Sequence, residues 1–188
     1  PILDMPLVLI SEELDPECVA WLAERCDVEK VPQSDPRFDD LLARAEALIV
    51  RTYTYVTRDF LARAPKLRVI GRAGVALENV DVPACRERGI QVVHTPGSNT
   101  RAVVEYVTAI ILDALRPRFY LDAAPTPDQW HQFRRTTIAR RELNEFTLGI
   151  WGLGRIGTAM ARVGAAMDVR VLYHDIREVP PAERHGAE

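Results

Sequence analysis

The chain has 188 residues, which is enough for one domain of ordinary size or for two small ones. Its composition, 47% hydrophobic and 27% charged, supports a packed core and excludes an intrinsically disordered protein. A net charge of −3 gives no reason to expect a nucleic acid or a membrane as a partner, and no apolar run is long enough to span a bilayer. The three cysteines, Cys18, Cys26 and Cys85, lack metal-ligand spacing, so we expect no metal site and a reducing, cytoplasmic location.

Short apolar runs alternate with helical patterns over residues 1–98. The runs predict strands at Leu7–Ile10, Val28–Val31, Ala47–Val50, Arg68–Ile70 and Gln91–Val93. The segments between them predict helices at Pro16–Cys26, Arg37–Ala45, Arg58–Ala64 and Val82–Arg88. Because strand and helix alternate, this part of the chain is expected to form one α/β domain with a doubly wound parallel sheet of five strands.

Three loops of this domain follow predicted strands and are candidates for a ligand site. They are Arg51-Thr52, Gly71–Val75 and Pro96–Thr100. Ligands of open α/β sheets bind at the carboxyl ends of the strands, so these loops are expected to lie around one spot. A guanidinium, backbone N–H groups freed by glycine and an amide side chain would suit a small carboxylate there. The alternative is that Arg51 pairs with a surface acid and that the glycines only turn the chain.

The segment after residue 98 contains a helix of unusual composition. Residues 101–115 are apolar around most of the helix circumference, which predicts burial on more than one side, in one domain or between two domains or subunits. Glu105, in its most apolar part, is therefore expected to need a buried partner. Residues 118–146 are polar and are expected to be irregular. The tryptophans are expected to lie in the core: Trp21, Trp130 and Trp151.

Residues 147–175 carry the pattern of a dinucleotide-binding fold. An apolar run, Thr147–Trp151, leads into the sequence Gly-Leu-Gly-Arg-Ile-Gly at 152–157, and a helical pattern follows. A second apolar run, Val169–Tyr173, ends just before Asp175. Strand, glycine turn, helix, strand and acid in this order are the context that supports the motif.

Each residue of that pattern has an expected part in binding NAD. Gly152 allows the tight turn, Gly154 lets the backbone approach a pyrophosphate, and Gly157 lets helix and strand pack closely. The N-terminus of the helix offers N–H groups to the phosphates. The carboxylate of Asp175 can accept hydrogen bonds from a ribose diol and would repel a 2′-phosphate, so NAD is favoured over NADP.

Over nearly its whole length the chain resembles the D-isomer-specific 2-hydroxyacid dehydrogenases. The resemblance rests on residues 47–52, 69–81, 97–105 and 147–157. It implies substrate-side positions at Arg51, Thr52, Gly74, Val75 and Asn99. It implies cofactor contacts at Arg155, Ile156 and Asp175.

The resemblance also implies a flavodoxin-like substrate domain at 1–98, and a linker helix with the first part of a Rossmann NAD-binding domain at 99–188. The activity implied is NAD-dependent oxidation of a D-2-hydroxy acid, with 3-phosphoglycerate the first candidate, in a homodimer formed through the NAD-binding domain. The catalytic Arg, Glu and His of the family have no match within 1–188, so no catalytic residue is assigned and we expect the N-terminal part of a longer enzyme.

Two residues depart from the family pattern. Ala76 and Glu78 stand where the family commonly has Gly and Asp, which bears on loop geometry and substrate preference. Two alternative functions remain open, a glyoxylate or hydroxypyruvate reductase and an NAD-sensing scaffold of the C-terminal-binding-protein type.

Overall fold

The computed structural model describes residues 5–118, 120–138 and 141–188. The chain divides between Ser98 and Asn99 into two compact units, called here the N-terminal unit and the C-terminal unit. Each unit has its own cluster of buried apolar side chains.

The N-terminal unit is a five-stranded parallel sheet with helices between the strands. Its elements are β1 (Leu7–Ile10), α1 (Pro16–Ala23), β2 (Asp27–Lys30), α2 (Phe38–Arg44), β3 (Ala47–Val50), α3 (Arg58–Ala62), β4 (Val69–Arg72), α4 (Val82–Glu87) and β5 (Gln91–His94). The strand order is β2-β1-β3-β4-β5, and every pairing is parallel. This is the flavodoxin-like order, so the predicted α/β class is confirmed. The strands β1 and β3 have the predicted bounds, while the helices end earlier than predicted.

Local sequence explains where these helices begin. Three side chains, Asp15, Thr57 and Asp81, accept a hydrogen bond from a backbone N–H in the first turn of α1, α3 and α4. The sheet interior is apolar because both faces of a parallel sheet are covered, and Leu9, Leu48 and other strand residues are fully buried. The carboxyl ends of β1, β3, β4 and β5 are therefore fixed next to one another in that order.

In its described residues, the C-terminal unit contains three α-helices and two paired strands. Its elements are α5 (Thr100–Leu115), α6 (Pro127–Thr137), β6 (Thr147–Trp151), α7 (Arg155–Ala166) and β7 (Arg170–His174). The two strands run parallel, with Trp151 opposite His174. On the other edge of β7, Glu188 N–H donates to the Val171 carbonyl (2.9 Å), and Tyr173 N–H donates to the Glu188 carbonyl (3.1 Å). The residues around 187–188 thus extend this sheet.

Helix α6 corrects the prediction that residues 118–146 are irregular. Thr126 Oγ1 accepts from the Gln129 N–H, and Gln129 Oε1 accepts in return from the Thr126 N–H. This capping box, with Pro127 in the first turn, starts a helix that buries none of its residues. Only two of its residues, Trp130 and Phe133, are large and apolar, and this low apolar content is why the pattern did not predict it.

Within this chain helix α5 is covered on one side, and the predicted burial of its other side between subunits stays a prediction. Its half-buried residues recur every three or four positions, and the helix packs on α7. Tyr106 is 68% exposed, Ile110 is 49% exposed, and Glu105 is exposed, so its carboxylate needs no buried partner.

The prediction for the tryptophans is also wrong, since Trp21, Trp130 and Trp151 are 57%, 50% and 86% exposed. The ring of Trp151, at the end of β6, instead contacts that of His174, with 4.6 Å between the ring centroids and 46° between the ring planes.

Candidate functional site

The loops that follow β3 and β4 lie side by side in the N-terminal unit. Arg51 and Thr52 directly follow β3, and Gly74 and Val75 follow β4, the next strand in the sheet. The loop after β4 is also tied to the end of β5, because the Val75 carbonyl lies 2.7 Å from His94 Nδ1. Four of the five predicted substrate-side residues therefore lie on adjacent loops at one edge of the sheet.

Asn99, the fifth predicted residue, belongs to the C-terminal unit. It is the N-cap residue of α5, and its side chain makes no capping hydrogen bond. Its amide is exposed and remains available to a ligand.

The Arg51 side chain does not pair with an acid among the residues that the structure describes. Its Nη1 donates instead to the backbone carbonyl of Glu13, at 3.0 Å. A guanidinium has five N–H donors, so this exposed side chain keeps donors for a carboxylate. The alternative of a surface ion pair at Arg51 is not what the structure shows.

Glu12, which the sequence interpretation missed, holds the loop after β3. Its Oε1 accepts from the N–H groups of Arg51 (2.9 Å) and Thr54 (3.0 Å), and its Oε2 accepts from those of Thr52 (2.9 Å) and Tyr53 (3.1 Å). Partial burial raises the pKa of this carboxyl, but the four N–H groups outweigh it and lower the pKa to about 2. Glu12 is therefore ionised at neutral pH.

Asn79 holds the same loop from the opposite side. Its Nδ2 donates to the carbonyls of Arg51 (3.0 Å) and Thr54 (2.7 Å). Its own backbone carbonyl accepts from the Val56 N–H at 2.8 Å. Ser11 adds a buried hydroxyl contact of 2.7 Å to Thr54 Oγ1. Asn79 follows Gly74 and Val75 in the same connection, so it joins the two loops that carry the predicted substrate residues.

The loop after β4 corrects one part of the prediction. The N–H groups of Ala73 and Gly74 are not free for an anion, since they donate to the carbonyls of Val50 (2.9 Å) and Arg72 (2.9 Å). Gly74 instead makes room for the Arg72 guanidinium, which a Cβ at position 74 would overlap. Arg72 is only 8% exposed, and its Nη2 lies 3.8 Å from Glu78 Oε1.

The glycine turn between β6 and α7 has the expected backbone form. Gly152 has φ = +94°, a conformation that side chains disfavour. A Cβ at Gly157 would lie 2.1 Å from the Gly152 carbonyl oxygen and 3.0 Å from Ile150 Cγ2, so helix and strand can approach only through glycine. The fold itself thus requires these two glycines.

Gly154 differs from the other two, because the protein leaves its surroundings open. A Cβ at this position would meet no atom within 4 Å. Gly154 is also the N-cap of α7 and provides no side chain to cap the helix. Arg155 and Ile156 form the exposed first turn, where the N–H groups have no partner within the helix. An uncapped helix N-terminus with room in front of it fits a phosphate group.

Asp175 follows β7 and contacts the glycine turn directly. Its Oδ2 accepts from the Leu153 N–H (2.6 Å), and its Oδ1 accepts from the Arg177 N–H (3.1 Å). The N–H groups of Arg177 and Leu153 hold the pKa of this carboxyl below its usual value. A carboxylate offers about four lone-pair sites, so acceptor capacity remains for a ribose diol. The sequence pattern did not predict that this side chain also holds the turn.

The described ranges of the chain hold neither a metal-binding cluster nor a membrane-spanning helix. No group of His, Cys, Asp and Glu side chains there is arranged to hold a metal ion. Likewise, none of the helices there has the length and apolar character to cross a membrane.

Comparison with known protein families finds one match that covers most of the chain. A family model described as D-isomer specific 2-hydroxyacid dehydrogenase, catalytic domain, matches residues 8–173. The D-3-phosphoglycerate dehydrogenase of Mycobacterium bovis is 39% identical over 176 residues, which are 92% of this chain and 32% of the relative. The glyoxylate reductase of Aeropyrum pernix is 33% identical over 177 residues, which are 90% of this chain and 53% of the relative. The chain thus spans about a third to a half of these relatives.

Solved structures show the same similarity. A 2-hydroxyacid dehydrogenase from Ketogulonicigenium vulgare Y25 matches with a TM-score of 0.78 and 26% identity, over 99% of this chain and 59% of the other. The D-lactate dehydrogenase of Aquifex aeolicus, solved with NAD and lactic acid, matches with a TM-score of 0.73 and 25% identity, over 97% of this chain and 55% of the other.

Proposed function

We propose, since the chain belongs to the D-isomer-specific 2-hydroxyacid dehydrogenase family, that the full-length protein interconverts a D-2-hydroxy acid and its 2-oxo acid with NAD. The observation that carries the proposal is the arrangement at the ends of β6 and β7. There the glycine turn, the uncapped N-terminus of α7 and the ionised Asp175 meet within one unit. This combination suits the pyrophosphate and ribose of a dinucleotide.

The residues present fit NAD. The N–H groups of Arg155 and Ile156 would hold the pyrophosphate in the open space at Gly154, and Asp175 would accept hydrogen bonds from the ribose. When bound, NAD supplies the acceptor for a hydride from the substrate carbon. The charge of Asp175 would repel the 2′-phosphate of NADP, so NAD is the proposed cofactor.

The N-terminal unit would hold the acid. Arg51 and Thr52, with Gly74 and Val75 on the next loop, are the proposed substrate-side residues of this unit. Asn99, which belongs to the C-terminal unit, is proposed from the family resemblance. Of these, the Arg51 guanidinium is the group suited to pair with the substrate carboxylate. No catalytic residue is assigned within 1–188, because the residues that would move protons in this family have no counterpart there.

3-Phosphoglycerate is the first candidate substrate, supported by the mycobacterial relative. A second candidate is a glyoxylate or hydroxypyruvate reductase, supported by the glyoxylate reductase of Aeropyrum pernix, which is 33% identical over 177 residues. The proposed assembly is a homodimer formed through the C-terminal unit, whose helix α5 exposes Tyr106 and Ile110.

Steady-state assays of the full-length protein test this function. We expect turnover of at least one of D-3-phosphoglycerate, D-glycerate and glycolate, with NAD preferred to NADP. Absence of turnover for all three and for their 2-oxo acids, together with tight NAD binding, would favour the NAD-sensing scaffold and contradict the enzyme.

The variant Asp175→Asn tests the cofactor assignment. It keeps an oxygen for the Leu153 N–H, loses the acceptor of the Arg177 N–H and removes the charge. The preference for NAD over NADP should therefore fall by about tenfold or more, the effect of one charge-assisted interaction. The control is Glu178→Gln, an exposed acid three residues further on, which should leave the preference unchanged. An unmutated enzyme that uses both cofactors equally would contradict the assignment.

A further inference from the structure

The loop of Arg51–Thr54 is clamped by two side chains that come from two different connections. At each end of this loop, the N–H group is bound by Glu12 and the carbonyl is bound by Asn79. The two central N–H groups, of Thr52 and Tyr53, are bound by Glu12 as well. Four consecutive donors and two acceptors of one short loop are therefore satisfied by two side chains.

Only a carboxylate can complete this arrangement. It is acceptor-only, with two oxygens that each receive two N–H groups here. An amide at position 12 would turn an NH₂ donor toward two of the four N–H groups and leave them without an acceptor. The charge is also compensated by the four N–H dipoles, so Glu12 opposes an incoming anion less than a free carboxylate would.

The clamp also bears on the Arg51 side chain. Its backbone is held by Glu12 and Asn79, and its guanidinium is held by the carbonyl of Glu13, the residue next to Glu12. The backbone N–H and the guanidinium of Arg51 are thus both bound by residues of the connection that follows β1. A side chain fixed in this way loses less conformational freedom when it binds a ligand.

We propose that Glu12 is a positioning residue for the substrate carboxylate, acting through the backbone of the Arg51–Thr54 loop. This proposal rests on the proposed function, in which Arg51 and Thr52 bind the acid. Asn79 links that loop to the one that carries Gly74 and Val75, so Glu12 and Asn79 together fix the distance between the two loops.

Kinetics of the full-length protein test the proposal with Glu12→Gln. We expect the KM for the 2-hydroxy acid to rise about tenfold, which corresponds to one lost net hydrogen-bonding interaction. The KM for NAD should stay within about twofold, since the nucleotide site lies in the other unit. A merely structural role would lower the amount of active protein, and so kcat, and leave the KM for the acid unchanged.

Two further variants make the kinetic test specific. Glu13→Gln is the matched control, because the Glu13 side chain binds Lys30 at the surface (2.5 Å) while its backbone carbonyl still binds Arg51. It should leave every KM unchanged. Glu12→Asp keeps the charge on a shorter side chain, so its KM for the acid should lie between those of the unmutated protein and Glu12→Gln. If Glu12→Gln does not fold, the KM of Glu12→Asp is the test.

Amide hydrogen exchange separates a failure of this proposal from a failure of the proposed function. The amides of residues 51–54 should exchange at least tenfold faster in Glu12→Gln than in the unmutated full-length protein, whether or not any acid is turned over. Unchanged exchange would overturn the clamp. Faster exchange with an unchanged KM would overturn the positioning role and leave the dehydrogenase assignment standing.

Discussion

Gly154 and Gly157 belong to one motif but meet different requirements. At Gly157 a methyl group would overlap the Gly152 carbonyl oxygen, so Gly157→Ala should lower the free energy of unfolding by about 1–3 kcal/mol. At Gly154 the space is open, so Gly154→Ala should change it by less than about 0.5 kcal/mol and yet weaken NAD binding. Chemical denaturation and calorimetric titration of the full-length protein measure both quantities.

The control for this pair is Gly149→Ala, in β6, where a Cβ also meets no atom within 4 Å. It should affect neither stability nor NAD binding. Loss of stability in Gly154→Ala as large as in Gly157→Ala would contradict the division of roles.

Glu12 gives the N-terminal unit a defined dependence on pH. Its pKa is about 2 in the folded protein, against an ordinary value of 4.5, so folding favours the ionised form. This contribution is complete above the ordinary value and is lost as the pH falls toward 2. We expect Glu12→Gln to cost about 1–2 kcal/mol at pH 7, a range that allows for solvent screening of a partly exposed group.

Denaturation of the full-length protein at pH 7 and pH 3 measures the effect. The difference between the unmutated protein and Glu12→Gln should shrink at the lower pH. For Glu13→Gln the difference should be small at both values, because its ion pair with Lys30 lies at the surface. If the difference in free energy of unfolding between the unmutated protein and Glu12→Gln grows on acidification, the Glu12 carboxylate is not held ionised.

Glu12 also shows what a residue pattern leaves out. Arg51 and Thr52 could be predicted because they directly follow an apolar strand, at the edge where ligands bind. Glu12 follows a strand in the same way, but its partners are some forty positions away in the chain. Their proximity depends on β1 lying beside β3, which the order of elements along the chain does not reveal.

Elements with buried apolar runs could be predicted from the sequence, and α6 could not. The strands β1, β3 and β6 have the bounds that their apolar residues indicate. Helix α6 begins with the reciprocal hydrogen bonds of Thr126 and Gln129, and its apolar face holds only two large side chains, Trp130 and Phe133. The apolar circumference of α5 is larger than the area that this chain covers, since one half of the helix faces solvent, and its predicted burial against a second subunit stays a prediction.

The capping box gives α6 a testable weak point. Thr126→Ala removes the acceptor for the Gln129 N–H, which should destabilise the helix by about 1 kcal/mol. Amide exchange of residues 127–137 should then become faster in the full-length protein. Gln132→Ala, an exposed position in the middle of the helix, is the control and should leave exchange unchanged. Equal exchange in both variants would mean that contacts other than the cap stabilise α6.

At the scale of the whole molecule, the exposed side of α5 bears on assembly. Apolar side chains such as Tyr106 and Ile110 are costly to leave in water, and a second copy of the chain would cover them. If the proposed homodimer forms there, Ile110→Glu should convert it to a monomer, as measured by sizing with light scattering. Met5→Glu introduces the same charge at an exposed apolar residue of the N-terminal unit and should leave the dimer intact. A dimer that survives Ile110→Glu would place the interface elsewhere.

The division between Ser98 and Asn99 has a consequence for synthesis of the protein. All five strands of the described sheet precede that point, so every hydrogen bond between these strands joins residues of the N-terminal unit. We therefore expect it to fold on the ribosome once β5 has left the exit tunnel, before the glycine turn has been translated. Chains stalled with residues up to Ser98 outside the ribosome should resist protease, and cleavage throughout the unit would show that it waits for the rest of the chain.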